Sequence, residues 1–231
     1  MRDTRLKART SIILLCRYFI GYLYAYPKLT VAVIRLFPNP ADWLQNTAAA
    51  VFYLLYFLDT VLLCRTYLRR SWKNFQNDPR TTLMQILLYE GSIILAGILF
   101  NLTVRSAAGL GTSANQAAVS KAFRQQPWIS LPMAILFAPV VEELTFRAAV
   151  IDPLIEKAGP RTACILSACL FGLIHVSDSL LAGNWADGLY FLLYAALGYL
   201  LSRIYVRRGN IFASIGLHGF NNLLGILSSL I

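Results

Sequence analysis

Charge is scarce in this 231-residue chain: Asp, Glu, Lys and Arg make up 14% of it, against 57% hydrophobic residues. So few charges cannot cover a water-soluble domain of this length, which argues against a soluble globular class. Histidine is scarcer still, with two in the whole chain. The four cysteines, Cys16, Cys64, Cys164 and Cys169, lie in or beside apolar runs with no C-x-x-C spacing. That pattern argues against a disulfide framework or a zinc knuckle and leaves them as small buried hydrophobes. A serine elbow, an H-E-x-x-H helix, a G-x-x-x-x-G-K loop and an Asp-rich intramembrane pair are all missing, against serine esterases, zincins, P-loop enzymes and aspartyl intramembrane proteases. No repeat, low-complexity tract or Pro-rich linker divides the chain, so one domain over residues 1–231 is expected.

Long apolar runs are what the chain does contain. About 20 helical residues cross the ~30 Å hydrocarbon core of a bilayer. Runs of that kind stand at Trp43 to Cys64, Thr82 to Val104, Trp128 to Ile155, Thr162 to Leu181, Gly188 to Val206 and Ile211 to Ile231. An earlier stretch, Ser11 to Phe37, is interrupted by Arg17, Pro27, Lys28 and Arg35. It reads as one long broken helix or as a span followed by an interfacial piece. The expected fold class is therefore all-α, a polytopic integral membrane bundle of about seven spans, with the lipid bilayer as its first partner.

Formal charge is +10, from 21 Lys and Arg against 11 Asp and Glu. The basic residues collect between apolar runs instead of lining a face with aromatic base readers, so no nucleic acid partner is expected. By segment, Lys and Arg number four in Met1 to Arg9, five in Arg65 to Arg80, two in Lys157 to Arg161 and three in Arg203 to Arg208. The alternate segments hold none in Pro38 to Asp42, three in Arg105 to Pro127 and none in Val176 to Asp187. Fourteen against three places the N-terminus in the cytoplasm by the positive-inside rule. No small-x-small cleavage site follows the basic N-terminus, so the first run is expected to be retained. The loop Arg105 to Pro127, with Gly109, Gly111 and Ser113, reads as a mobile segment, either a passive connector or a substrate-gating loop.

Ionisable groups inside spans cost a few kcal/mol each on insertion scales and by default face the bundle interior in pairs. Asp59 and Glu90 read as packing contacts. Glu142, Glu143, Arg147, His175 and His218 form a different class, because both histidines of the chain and two adjacent carboxylates lie inside spans. Glu143 and Arg147 are four apart and share a helix face, so they can neutralise each other. Glu142, rotated about 100° away, is left free as a candidate base. Pro139 removes a backbone donor one turn earlier, where a kink can admit water or simply serve packing. His175 is placed to partner Glu142. Phe171, four residues before it, is an aromatic wall for the ring or a plain core residue. His218 and Asn222, again four apart, can aim two donors at one point, as an oxyanion requires. At about 1.5 Å per residue, Glu142 and His175 each lie roughly 20 Å from the cytoplasmic end of their spans and His218 roughly 10 Å.

These residues resemble the motifs of the CPBP family, the CAAX-processing and bacteriocin-processing (Abi) membrane proteins, which include the type II CAAX prenyl endopeptidases. The resemblance covers about residues 131–227. It rests on Glu142-Glu143-x-x-x-Arg147 preceded by Pro139, Phe171-x-x-x-His175 preceded by Ser167, and His218-x-x-x-Asn222. One departure is Ala148, where many members carry glycine after the motif arginine. The resemblance implies an intramembrane endopeptidase in which Glu142 with His175 activates water while His218 with Asn222 stabilises the oxyanion. Its substrate would be a membrane-associated protein or peptide and its location a bacterial plasma membrane. It implies no cofactor on the glutamate reading, and a divalent metal such as zinc on the alternative in which Glu and two His act as ligands. Two other readings of the same residues stay open: a non-catalytic immunity or interaction protein built on a polar network, and a small ion or solute carrier. Convergence of Glu142, His175, His218 and Asn222 within about 4 to 8 Å around a water-accessible cavity would favour the enzyme.

Overall fold

The computed structural model describes residues 5–37 and 42–230, and all regular structure among them is helical. What the sequence implies for the first four residues, for 38–41 and for Ile231 lies outside the described residues. Five helical runs are long and apolar enough to cross a membrane: Asn46–Leu63, Pro79–Ala108, Pro127–Leu181, Asp187–Arg208 and Ile211–Ser228. The third has 55 residues, well over twice what a bilayer takes. It is broken at Gly159, whose φ of 79° only glycine adopts without strain, and Pro160 follows. One run thus makes two crossings, and the chain is an integral membrane protein.

The N-terminal stretch is one continuous helical run, made of α1 (Ala8–Cys16), a π-helical section Arg17–Ala25, and α2 (Tyr26–Ile34). It is not one of the five apolar runs, and it carries Arg9, Arg17 and Lys28. Arg17 forms an ion pair with Asp59 of α3 (Asp42–Leu63), which gives Asp59 its partner. A basic helix, α4 (Arg65–Asn77), follows.

The α5 helix (Pro79–Phe100) is capped by Asp78, which accepts from the Thr81 amide and from Arg208 at 3.0 Å. Those hydrogen bonds hold the Asp78 carboxyl below its ordinary value. Arg208 ends α11 (Phe191–Arg208) and so ties the start of α5 to the start of α12 (Ile211–Ser228). A Cβ on Gly216 of α12 would lie 3.0 Å from Ile86 of α5, so the two helices run side by side in the same direction. The long α10 (Asp152–Leu181) packs on α11 through small residues. A Cβ on Gly172 would sit 3.0 Å from the Ala195 amide and one on Gly198 3.1 Å from the Ala168 Cα. Close backbone approach of this kind is how helices associate in lipid, where apolar burial offers no drive.

The segment 105–127 is more ordered than its composition implies. It contains α6 (Ser106–Ala108) and α7 (Ala114–Gln125), and the Ser113 hydroxyl caps α7 on the Gln116 amide. Four further bonds fasten it: the Ala114 amide to Asp187, Ser113 and Asn115 to the Tyr194 hydroxyl, and the Gln116 amide group to the Gly225 carbonyl. It is an anchored cover over one end of the bundle.

Candidate active site

The site begins at a proline. The α8 helix (Pro127–Pro132) runs into a π-helical turn, Met133–Phe137, then into α9 (Ala138–Glu143) and a second π-helical section, Leu144–Ile151. In the first turn the Ala138 amide reaches back to the Met133 carbonyl. The next carbonyl, Ala134, would by the same i→i+5 step take the amide of residue 139, which as proline has none. Asn222 of α12 fills the vacancy, its Nδ2 donating to the Ala134 oxygen at 2.8 Å. Gly219, one turn before Asn222, allows the approach: a Cβ there would lie 2.7 Å from the Ile135 carbonyl oxygen. The kink at Pro139 is therefore a socket for α12.

That docking presents His218 to both carboxylates. His218 Nδ1 lies 3.0 Å from Glu143 Oε1, and Nε2 lies 3.9 Å from Glu142 Oε2. Glu143 Oε2 stands 3.0 Å from Arg147 Nε, with both side chains fully buried. The N–H does not aim at that oxygen, and none of the three Arg147 nitrogens has a hydrogen-bond acceptor among the described residues. The contact is an ion pair, and the guanidinium instead lies over the Phe171 ring, 4.7 Å from its centre. The Glu142 side chain keeps 12% exposure, while its Oε2 is buried without a hydrogen-bond partner.

His175 sits on the other side of Phe171. Its ring centre is 4.3 Å from that of Phe171, and the His218 ring is 5.6 Å from the same phenyl in a T-shaped contact. Tyr194 of α11 stacks on the far face of His175 at 4.8 Å. The Nδ1–H of His175 faces the Phe171 carbonyl at 2.8 Å. Donation there fixes the tautomer and leaves Nε2 with a free lone pair. His218 is held in the same sense, since a carboxylate on Nδ1 makes that nitrogen the donor.

Two of the expected groupings are rearranged. Glu142 faces His218, not His175, and His218 and Asn222 spend one donor each on Glu143 and Ala134. Glu143 is more than the partner of Arg147, because it also orients His218. The Phe171 ring touches both imidazoles and Arg147. Three participants carried no motif. Tyr18 and Tyr22, on the N-terminal helix, lie within electrostatic reach of Glu142. Tyr194 sandwiches His175. The aromatic spacing Tyr18, Tyr22, Tyr26, one per turn of a helix, was the available signal for the first pair.

The four charges are balanced when the Glu142 and His218 pair carries one proton. Ionised Glu142 and Glu143 then face Arg147 and an imidazolium; moving the proton onto Glu142 leaves Glu143 against Arg147. Both states are neutral overall, as a low-dielectric interior favours, and the 3.9 Å gap is longer than a hydrogen bond. A cavity of about 490 Å³ beneath α7, lined by Glu90, Ser113, Gln116, Tyr194, Asn221 and Asn222 among others, borders the site at Tyr194 and Asn222; Glu142, His175 and His218 are not among its lining residues. Among the described residues no group of three or more His, Cys, Asp or Glu is arranged to hold a metal ion.

Residues 124–224 match the family described as Type II CAAX prenyl endopeptidase Rce1-like. Over 189 residues, 80% of this chain and 72% of the relative, the chain is 24% identical to "Putative membrane peptidase YdiL" of Bacillus subtilis (strain 168). Over 160 residues, 69% of this chain and 82% of the relative, it is 24% identical to "UPF0177 protein YxdF" of Lactococcus lactis subsp. lactis (strain IL1403). No solved structure matches the chain. The matched stretch, under half of the chain, carries Glu142, Glu143, Arg147, Phe171, His175, His218 and Asn222, and over it the chain is similar to the Rce1-like endopeptidases, consistent with the CPBP family.

Proposed function

We propose that the chain is a membrane-embedded endopeptidase that hydrolyses a peptide bond in a membrane-associated protein or peptide. The observation that carries this reading is the four-member array Glu142, His218, Glu143 and Arg147, in which one carboxylate is spent on orientation and the other is left without a hydrogen-bond partner beside an imidazole. Peptide hydrolysis needs a base for water, a donor for the carbonyl oxygen, and a proton for the leaving amine.

Glu142 takes a proton from water as the water oxygen bonds to the carbonyl carbon, and the carbonyl π electrons move to oxygen. His218, held by Glu143 on Nδ1, offers its Nε2–H to that oxyanion, and Asn222, which uses one N–H on Ala134, has a second to offer. When the tetrahedral species collapses, the C–N bond breaks and the proton held by Glu142 goes to the departing amine. His175 presents its free Nε2 lone pair and accepts a hydrogen bond from the attacking water. Arg147 keeps Glu143 ionised throughout. No step needs a metal; the zinc alternative would draw on Glu142, His175 and His218, which among the described residues are not grouped as a metal site. The reading further places the protein in a bacterial plasma membrane with its N-terminus in the cytoplasm.

Glu142→Gln in purified protein reconstituted in nanodiscs, incubated with a membrane-peptide library and read by mass spectrometry, tests the base. General-base removal costs about 100- to 10,000-fold, so cleavage should fall by at least two orders of magnitude in a folded variant. Unchanged cleavage would remove Glu142 from the chemistry. A non-catalytic immunity or interaction role has one observation in its favour, that Asn222 and both Nδ1 atoms are already bonded within the bundle. That role predicts that Glu142→Gln keeps full function, since a carboxamide still hydrogen-bonds.

A further inference from the structure

Glu90 has no partner. It lies mid-way along α5, is 3% exposed, and its Oε2 is buried with no hydrogen bond among the described residues. Among the described residues it has no ion-pair partner. Asp59, the other intramembrane acid expected to be a packing contact, has Arg17; Glu90 has only the cavity it lines. A carboxyl at this depth costs a few kcal/mol to insert, and the usual compensation is a paired charge or a water-filled path.

Its depth is informative. Because α5 and α12 run side by side with Ile86 level with Gly216, Glu90 stands about 6 Å further along the bundle, His218 about 3 Å and Asn222 about 9 Å, at about 1.5 Å per residue. Glu90 is thus level with the stretch of α12 between the two groups assigned to the oxyanion. The cavity that Glu90 lines is also lined by Ile93, Ile94 and Leu197 and by Asn221 and Asn222. An apolar wall ending at a lone carboxylate suits a methylene stem that ends in a positive charge.

We propose that Glu90 is the specificity-determining group of a substrate subsite for a lysine or arginine side chain lying within a residue or two of the scissile bond. The proposal deepens the hydrolase reading and rests on it for the word substrate. An ammonium or guanidinium brought to Glu90 completes an ion pair where the dielectric is low, so discrimination against an uncharged stem of equal length is large. Arg105 also lines the cavity, but it stands fifteen residues further along the same helical run, about 22 Å away at about 1.5 Å per residue, and is bonded to Leu110 and Asn101; an anionic side chain at Glu90 would therefore meet a second carboxylate with no cation between them.

The test uses the full chain in nanodiscs and fluorescent transmembrane peptides in matched pairs, lysine against norleucine, with the pair moved position by position. Binding is read by anisotropy on Glu142→Gln protein, which separates recognition from cleavage, and kcat and KM are read on the unmutated protein. The lysine peptide should bind about 10-fold or more tightly at one position, and Glu90→Gln should abolish that difference in binding and in KM. A binding preference without cleavage would leave the subsite and remove the hydrolase. Cleavage with no preference, a preference that survives Glu90→Gln, or no preference in binding would overturn the subsite. Should Glu90→Gln fail to fold, n-butylammonium on the protein with Glu90 intact decides: it should displace the lysine peptide and spare its norleucine twin, and equal effects on both would overturn the subsite.

Discussion

Replacing Arg147 by methionine separates the structural from the chemical work of the buried array. Arg147 and Glu143 are both fully buried, and the guanidinium contacts Glu143 and the Phe171 ring. Removing one member of a buried ion pair costs about 3–5 kcal/mol, because the other is left uncompensated. Here Glu143 would share His218 with Glu142, two carboxylates to one imidazole, so the upper part of that range applies. The lost cation–π contact is contained in the same figure, since desolvated contacts of this kind are worth about 2 kcal/mol. For a chain of this size the loss corresponds to a fall in melting temperature on the order of 10 °C. Adding Glu143→Gln to Arg147→Met removes the stranded charge, and most of the stability should return. The two changes should then couple by roughly 2 kcal/mol or more. Activity should not return with it, because His218 loses the carboxylate that orients it. Nanodisc thermal unfolding followed by tryptophan fluorescence gives the stabilities, and peptide cleavage gives the activity. The reasoning is refuted if Arg147→Met alone costs less than about 1 kcal/mol, or if the double variant is less stable than either single one.

Gly219→Ala should be more damaging than an added methyl suggests. The new Cβ meets a backbone oxygen at 2.7 Å, with no side chain to move aside, so α12 must shift and Asn222 leave Ala134, at a cost of about 1–3 kcal/mol with most of the activity; the unfolding and cleavage assays read both. On the glutamate mechanism, cleavage should be unaffected by EDTA or 1,10-phenanthroline, and a loss restored by added zinc would replace that mechanism with the metal alternative. Cysteine introduced at Lys121 on α7, in a background free of the four native cysteines, should react with a membrane-impermeant maleimide on intact cells, whereas one introduced at Lys73 should not. Labelling of Lys73→Cys alone would invert the assigned orientation.

Much of this architecture could be read from residue order because it depends on composition averaged over whole helices. The spans from Trp43 onward and the break before Thr162 followed from apolar length, and the pairing of Glu143 with Arg147 followed from a four-residue spacing. Contacts between distant helices were out of reach. The spacing of His218 and Asn222 places both on one face of α12, but cannot say that the face docks at Pro139 or that His218 comes to Glu142. The π-helical turns were equally hidden, since they arise where the chain gives up regular bonding around Pro139 and neighbouring helices take over its carbonyls. Segment 105–127 misled for a related reason: its polar residues resemble slack loop, and their bonding partners Tyr194, Asp187 and Gly225 lie far along the chain.

The Asn222 bond to Ala134 also orders events during biogenesis. Synthesis proceeds from the N-terminus, so α9 enters the bilayer while α12 is still to be made. Until α12 arrives, the Ala134 carbonyl lacks the amide that replaces the proline's missing donor, and Glu143 lacks the imidazole it orients. A nascent chain holding every earlier helix therefore carries both glutamates without the groups that would make them a hydrolytic centre. On the proposed mechanism, the bond that closes the kink thus also completes the hydrolytic centre, which forms only once α12 is in place.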